Sequence, residues 1–144
     1  MTTIISCTSC GAKNKIPDDK KHLTAKCGKC GKHLPPTGGV IALTDQNFQR
    51  VVEATSQPVL VDFYSPTCGP CQAMAPLIDQ LAEKYSGRAV ICKLDTSRHQ
   101  ISAGRFQIRG VPTLIFFKNG QQVDQIVGAV PASELEQRLK ALLP

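Results

Sequence analysis

Seven cysteines are the residues of this 144-residue sequence with the clearest chemical potential. So many thiols in a short chain suit a disulfide framework, a metal site or redox chemistry. The N-terminus has neither a basic start nor an apolar stretch of signal-peptide length, so we expect a reducing compartment, where metal binding or redox chemistry is favoured. Six cysteines form three Cys-x-x-Cys pairs and the seventh stands alone: Cys7 with Cys10, Cys27 with Cys30, Cys68 with Cys71, and Cys92.

The third pair, Cys68 and Cys71, stands between an apolar run and an amphipathic pattern, where a buried strand is followed by a helix. A cysteine at a helix N-terminus faces unsatisfied backbone N–H groups and the positive end of the helix dipole, and both favour the thiolate. Cys71 follows one turn later, close enough to form a disulfide with Cys68. The arrangement predicts dithiol–disulfide exchange, in which Cys68 attacks a substrate disulfide and Cys71 resolves the mixed disulfide. The alternative is a pair that binds metal or is inert, and the strand–turn–helix context argues against it.

The first two pairs are separated by residues 11–26, a spacing typical of a two-knuckle zinc site. Each pair is followed by a glycine, Gly11 or Gly31, which permits the tight turn of a zinc knuckle. Four thiolates in a tetrahedral array suit Zn²⁺, and the metal would supply most of the folding free energy of a segment with few apolar residues. An iron–sulfur site and disulfides are the alternatives. The predicted zinc ligands are Cys7, Cys10, Cys27 and Cys30.

We expect the module to have a structural or partner-facing role. A sharper hypothesis is a redox switch, in which oxidation of the four thiolates ejects the metal and changes the activity of the attached domain.

The composition of the sequence changes at residues 35–39, where Pro-Pro-Thr-Gly-Gly indicates a linker between two parts of the chain. We predict a four-cysteine zinc-binding module over residues 1–34 and an α/β domain over residues 40–144. The hydrophobic patterns of that domain predict the order βαβαβαββα, with a parallel part, a closing hairpin and helices on both faces of one sheet. Strands are predicted at 40–43, 58–64, 89–94, 113–117 and 122–127, and helices from Thr44 or Asp45 to 55 and at 70–85, 97–106 and 132–143.

Most of the positive charge lies in the first module. Residues 1–38 carry seven lysines against two aspartates, and the whole chain has a net charge of +6. A basic zinc ribbon can contact nucleic acid, but the lysines are dispersed and this segment has no arginine or aromatic residue, so nucleic acid is not expected as a partner. The longest nearly apolar run, 111–117, is too short to span a bilayer, so we expect no membrane association and a cytoplasmic location.

Six short motifs occur in the order in which they occur in thioredoxins, and the chain resembles that family over residues 40–144. Together with the cysteine-rich module, the whole chain resembles the zinc-containing bacterial thioredoxin 2 type. The resemblance implies a thioredoxin fold, which is a central mixed sheet flanked by helices, with a small N-terminal zinc-ribbon-like module. The motifs are Val61-Asp62-Phe63-Tyr64, Cys68-Gly69-Pro70-Cys71, Met74-Ala75-Pro76, Lys93-Leu94-Asp95, Gly110-Val111-Pro112-Thr113 and Phe117-Lys118-Asn119-Gly120.

The resemblance also implies roles for four catalytic residues. Cys68 would be the exposed nucleophile and Cys71 the buried resolving thiol. Asp62 matches the family's buried acid, which helps to move the proton off the resolving cysteine, and Lys93 matches the lysine near that acid. A lone aspartate in an apolar strand should have a raised pKa because of desolvation, which suits this role. A structural buried ion pair between Asp62 and Lys93 is the other interpretation, and the two roles can hold together.

Four further residues match the family's substrate-binding positions. Gly69 and Pro70 form the spacer found in reducing members. Pro112 matches the cis-proline that faces the disulfide, where the backbone of Val111 pairs with extended substrate. One departure is Thr67, which stands where thioredoxins usually have a tryptophan before the first active-site cysteine; the substitution bears on substrate packing and on the pKa of Cys68.

The activity implied is that of a protein disulfide reductase that acts on disulfide-containing proteins and is recycled by thioredoxin reductase. Oxidase or isomerase activity would need a higher reduction potential than the Gly-Pro spacer indicates. The alternative from another class is a zinc-dependent binding or holdase module on a thioredoxin scaffold, in which Cys68 and Cys71 would be dispensable.

Overall fold

The structure, a computed structural model, describes residues 2–7, 9–17, 26–34, 39–53 and 55–143. Nearly all of the predicted linker lies outside the described residues. Within them, no helix is long and apolar enough to cross a membrane. The strands are β1 (Thr2–Ser6), β2 (Lys13–Pro17), β3 (Ile41–Ala42), β4 (Val59–Tyr64), β5 (Val90–Asp95), β6 (Thr113–Lys118) and β7 (Gln121–Val127), and the helices are α1 (Phe48–Glu53), α2 (Gly69–Lys84), α3 (Gln100–Arg105) and α4 (Ala132–Lys140).

The N-terminal module contains an antiparallel hairpin of β1 and β2 that the sequence did not predict. Apolar residues are too few there to give a clear alternation of period two. Ile5 and Ile16 nevertheless pack against a small buried cluster formed by Cys7, Cys27 and Leu34. Two of the predicted zinc ligands thus also provide part of the core of this module.

The second sheet has five strands in the order β3-β5-β4-β6-β7. Strands β3 and β4 are parallel to β5, whereas β6 is antiparallel to β4 and β7 to β6. The predicted element order, parallel part and closing hairpin are therefore confirmed, as is the thioredoxin fold class with its central mixed sheet.

Strand β4 lies at the centre of this sheet, and its side chains alternate between two cores. Leu60 packs in a cluster with residues of α2 and α4, including Met74 and Leu139. Val61 packs on the opposite face in a cluster that includes Phe48 of α1. Because neighbouring strand residues point to opposite faces, β4 is buried on both sides, as its continuous apolar run predicted.

The two residues at which the first helix was predicted to start, Thr44 and Asp45, have different roles. Thr44 caps the turn that leads into α1, since its Oγ1 accepts a hydrogen bond from Asn47 N at 3.1 Å and Asn47 Oδ1 accepts one from Thr44 N at 2.7 Å. Asp45 instead accepts a hydrogen bond from Ser102 N of α3 at 2.8 Å. Burial raises the pKa of Asp45, but hydrogen bonds from Ser102 outweigh it and the pKa is lowered overall. Helix α3 is therefore capped by a residue far away in the sequence, because its own N-cap residue, His99, makes no side-chain cap.

Substitution Asp45→Ala leaves the first turn of α3 without this acceptor. We expect the free energy of unfolding to fall by about 1–2 kcal/mol, as for the loss of an N-cap. Urea denaturation followed by circular dichroism measures the change. Asp79→Ala, at an exposed position of α2, is the control, and an equal loss in both variants would contradict the remote cap.

Candidate active site and metal centre

The redox pair lies where the central strand leads into the longest helix. Strand β4 ends at Tyr64, and α2 begins at Gly69 with Cys68 as its N-cap residue. Cys68 Sγ accepts a hydrogen bond from Cys71 N at 3.1 Å. The two cysteines form a disulfide with their Cα atoms 5.2 Å apart. A backbone N–H aimed at Cys68 Sγ can stabilise a thiolate there once the disulfide is reduced.

The two sulfurs differ in accessibility. Cys71 is 4% exposed, whereas Cys68 is only partly buried, and its neighbours Gly69 and Pro70 are exposed. A substrate disulfide can therefore approach Cys68 but not Cys71. This asymmetry is the one that the assigned roles of nucleophile and resolving thiol require.

The segment before β6 faces the disulfide. The Val111–Pro112 peptide bond is cis, and Val111 O lies 3.7 Å from Cys68 Sγ. Pro112 is buried, and its carbonyl accepts a hydrogen bond from Gly128 N at 2.8 Å. The sequence analysis did not identify Gly128, although a glycine directly after the last predicted strand was a signal. In the structure its φ is 96°, a value that favours glycine. The structure thus brings Val111 and Pro112 to the active-site disulfide.

The loop between β4 and α2 is polar where a tryptophan is usual in the family. Thr67 is exposed, its Oγ1 lies 3.2 Å from Ser65 Oγ, and its N–H donates to Ser65 Oγ at 3.4 Å. Gln72 Nε2 of α2 donates to Pro66 O at 2.8 Å, which ties the loop to the helix. A compact hydrogen-bonded turn therefore stands beside Cys68 in place of an aromatic ring.

Asp62 is 4% exposed and lies on the face of β4 that it shares with Leu60, toward the α2 side of the sheet. No described residue donates a hydrogen bond to its Oδ1. Burial raises the pKa of Asp62 to about 7, although the positive charge of Lys93 acts in the opposite direction.

Lys93 is the register partner of Asp62 on β5, and its side chain is exposed. Among the described residues, the ion pairs within 4.0 Å do not include Asp62 with Lys93. The arrangement is therefore an isolated buried acid with a lysine nearby, and not the buried ion pair considered as an alternative.

The first two cysteine pairs converge. Their four sulfurs all lie within 4.8 Å of one another. Cys7 Sγ is 3.6 Å from Cys30 Sγ, and Cys10 Sγ is 3.6 Å from Cys27 Sγ. A tetrahedral zinc site with Zn–S bonds of about 2.3 Å would separate its sulfurs by about 3.8 Å. The cluster therefore has the donor set and the spacing that a tetrahedral zinc ion requires.

Backbone N–H groups favour negative charge on these sulfurs, and the crowding of the four sulfurs opposes it. N–H groups of Cys30 and Lys29 lower the pKa of Cys27 to about 6, and Asn14 Nδ2 also donates to Cys27 Sγ, at 3.6 Å. A backbone hydrogen bond from Ala12 lowers the pKa of Cys10, but burial and the three neighbouring sulfurs outweigh it and raise the pKa to about 11. Four thiolates at this distance repel one another, and a divalent cation would relieve that repulsion. Sequence reasoning did not identify Asn14.

Two knuckles of the same form hold the four cysteines. Cys7 N donates to Ala12 O and Cys27 N to Lys32 O, each at 2.8 Å. Gly11 and Gly31 close the two turns at φ values of 79° and 76°, which side chains rarely adopt. The glycine after each Cys-x-x-Cys pair thus has the role that the sequence predicted.

Comparisons with known proteins match both parts of the chain. Residues 39–141 match the thioredoxin family, and residues 6–32 match the family described as thioredoxin 2, N-terminal, a zinc ribbon. Thioredoxin C-3 of Corynebacterium nephridii is 38% identical over 136 residues, which cover 94% of this chain and 92% of that protein. Thioredoxin 1 of Nostoc sp. is 44% identical over 98 residues, which cover 68% of this chain and 92% of that protein.

Solved structures lead to the same family. A mutant thioredoxin from Halobacterium salinarum superposes with a TM-score of 0.70 at 30% identity and covers 75% of this chain and 94% of its own. Thioredoxin F from spinach chloroplast has a TM-score of 0.68 at 32% identity and covers 74% of this chain and 88% of its own. With a thioredoxin fold, a disulfide at the helix N-terminus and a zinc ribbon before it, the chain belongs to the thioredoxin family of disulfide oxidoreductases, as a member of the thioredoxin 2 type.

Proposed function

We propose that this protein is a protein disulfide reductase that works through Cys68 and Cys71 and is recycled by thioredoxin reductase. The observation that carries the proposal is the disulfide at the N-terminus of α2, with one accessible and one buried sulfur, beside the cis peptide bond of Pro112. The cytoplasmic location expected from the sequence remains a prediction.

In the first step, the Cys68 thiolate attacks one sulfur of a substrate disulfide. The substrate S–S bond breaks, a mixed disulfide forms, and the other substrate sulfur leaves as a thiolate that takes a proton from water. In the second step, Cys71 loses its proton and attacks Cys68 Sγ. The mixed disulfide breaks, the second substrate thiol is released, and a disulfide forms between Cys68 and Cys71. Thioredoxin reductase would then return two electrons to this disulfide and restore the two thiols.

Asp62 is the candidate acceptor of the Cys71 proton. It lies on the α2 side of the sheet, the helix that carries Cys71, and its pKa of about 7 allows it to exchange protons at neutral pH. The positive charge of Lys93 would limit the rise in the pKa of Asp62. Lys93 would therefore influence proton transfer through Asp62, without taking the proton itself.

Substrate binding is assigned to the backbone around the disulfide. Val111 and Pro112 would pair with an extended segment of the substrate, and the exposed Gly69 and Pro70 would leave its sulfur a free path to Cys68. Hydrogen bonds to the substrate backbone depend little on the substrate sequence, which suits a reductase that acts on many different proteins. The small turn at Thr67 widens this approach further.

The four cysteines at the N-terminus would hold one Zn²⁺, and the metal would neutralise the crowded thiolates and fix the two knuckles. We propose a structural role, because the apolar cluster of this module is too small to fold it by burial alone. In this proposal, the module spans residues 1–34, residues 35–39 form a linker, and residues 40–144 are the thioredoxin domain.

The reductase assignment predicts that Cys68→Ser lowers the rate of dithiothreitol-driven insulin reduction to the uncatalysed background. Reduced Cys71→Ser, mixed with insulin after dithiothreitol has been removed, should accumulate a mixed disulfide with the substrate, because Cys68 remains able to attack and no second thiol resolves the product. Cys92→Ala, a change at a buried cysteine outside the site, is the control and should retain most of the activity. Equal, near-background rates in the wild type and in Cys68→Ser would instead favour the binding or holdase module on a thioredoxin scaffold.

The buried Asp62 predicts a stability that depends on pH. Its pKa rises from about 3.9 in the unfolded chain to about 7 in the fold. The native state therefore binds the extra proton, and the stability that Asp62 contributes is complete below about pH 4 and lost as the pH rises through about 7. Asp62→Asn should raise the free energy of unfolding by on the order of 2–4 kcal/mol at about pH 8, with a gain that shrinks toward acid pH.

Guanidinium denaturation across this pH range measures the gain. Asp79→Asn, at an exposed site, is the control and should stay within about 0.5 kcal/mol of the wild type. A gain that does not change with pH would show that the Asp62 carboxyl is not protonated in the fold.

The metal centre predicts that Cys27→Ser abolishes zinc binding. A site with only three thiolate ligands loses most of its affinity for zinc. Bound zinc, measured by a chromogenic chelator, should fall from about one per chain to near zero. A structural role further predicts that insulin reduction by this variant changes less than about twofold, since the redox domain has its own core. A larger change in rate would favour the redox switch.

A further inference from the structure

The zinc ribbon has a net positive charge that the proposed redox chemistry does not use. Residues 1–38 carry seven lysines against two aspartates, and these side chains together contribute +5. With zinc bound, four thiolates and one metal ion would add about −2 and leave the segment at about +3. Five of the lysines lie among the described residues, and all five are exposed: Lys13, Lys15, Lys26, Lys29 and Lys32.

The hairpin of β1 and β2 directs two of these lysines to one side. Asn14 contacts Cys27 and so points toward the metal centre. Neighbouring strand residues point to opposite faces, so Lys13 and Lys15 lie on the side away from the metal centre. Ile4 is the register partner of Lys15 and is 51% exposed. We call the surface of Ile4, Lys13 and Lys15 the outer hairpin face.

This face combines an apolar side chain with two ammonium groups. Residues two apart on a strand are about 7 Å apart, and cross-strand partners have Cβ atoms about 5 Å apart. An acidic peptide segment that carries one apolar residue among its carboxylates is complementary to this arrangement. Nucleic acid fits less well, because residues 1–38 have no arginine for bidentate contacts and no aromatic residue for base stacking.

We propose that the outer hairpin face binds acidic segments of disulfide-containing protein substrates and thereby gives the redox site a preference for them. The proposal rests on the proposed reductase function for its biological use. Binding at the ribbon raises the local concentration of a substrate disulfide near the attached domain, so it lowers KM and leaves kcat unchanged. Salt screens charges on an exposed surface, so the preference should weaken as ionic strength rises.

Two peptides with the same disulfide test the preference. Each continues through a flexible Gly-Ser spacer of about 16 residues, which spans roughly 20 Å. One ends in Asp and Glu residues around a central Leu, and the other in Asn and Gln around the same Leu. At low ionic strength, the wild type should reduce the acidic peptide with a KM about fivefold lower and an equal kcat, and high salt should remove the difference.

Lys13→Gln with Lys15→Gln should abolish the preference while zinc content stays unchanged. Lys84→Gln with Lys140→Gln removes two exposed lysines of the thioredoxin domain and should keep it. Equal KM values in the wild type, or an equal loss in both double variants, would overturn the proposal. A still lower KM for a peptide with a single-stranded DNA tail would assign the face to nucleic acid instead.

Fluorescence anisotropy of the labelled acidic tail alone separates this surface from the redox chemistry. Tail binding that is lost in the Lys13 and Lys15 variant, without any peptide reduction, would uphold the surface and contradict the proposed reductase. Reduction of both peptides without tail binding would uphold the reductase and overturn the surface.

Discussion

The junction between β4 and α2 is the constraint on which the redox site depends. A helix start leaves backbone N–H groups without acceptors inside the helix, and Cys68 Sγ takes the one from Cys71 at 3.1 Å. The helix begins where it does because β4 is fixed at the centre of the sheet by β5 on one side and β6 on the other. The sulfur that caps the helix is also the one that solvent and Val111 O can reach, so the difference between the two cysteines follows from this strand–turn–helix geometry.

Backbone N–H groups also point at sulfur in the zinc ribbon, with a different result. There, N–H groups of Ser9 and Cys10 reach Cys7 Sγ at 3.4 and 3.5 Å, and Lys29 N reaches Cys27 Sγ at 3.4 Å. In the ribbon, four sulfurs lie close together, and a bound cation would offset the repulsion between their negative charges. At the helix N-terminus, two sulfurs form a bond with each other. The same Cys-x-x-Cys spacing therefore leads to a metal centre or to a redox pair according to how many sulfurs the fold brings together.

In the proposed function, recognition of substrates would divide between backbone groups and side chains. Around the disulfide, the cis peptide before Pro112 and the small turn at Thr67 offer backbone and little side-chain surface. The ribbon offers exposed lysines on a hairpin whose inner side packs against the four-cysteine cluster. A general reductase site with a separate charged surface would allow substrate preference to change without any change at the reacting sulfurs.

Local patterns in the sequence were sufficient for much of this structure. The apolar run of β4, the spacing of Met74 and Ile78 on α2 and the three cysteine pairs all depend on neighbours within a few residues, and each was predicted. The motifs shared with thioredoxins implied the positions of Asp62, Lys93, Val111 and Pro112, but not that Lys93 is exposed and makes no ion pair with Asp62.

Contacts between distant segments were decided only by the tertiary structure. Asp45 caps α3 across 57 residues, Gly128 donates to the carbonyl of Pro112, and β1 pairs with β2 although neither strand has a clear apolar alternation. Hydrogen bonds of this kind depend on where the folded backbone places each donor and acceptor, and that placement has no counterpart in the spacing of residues along the chain.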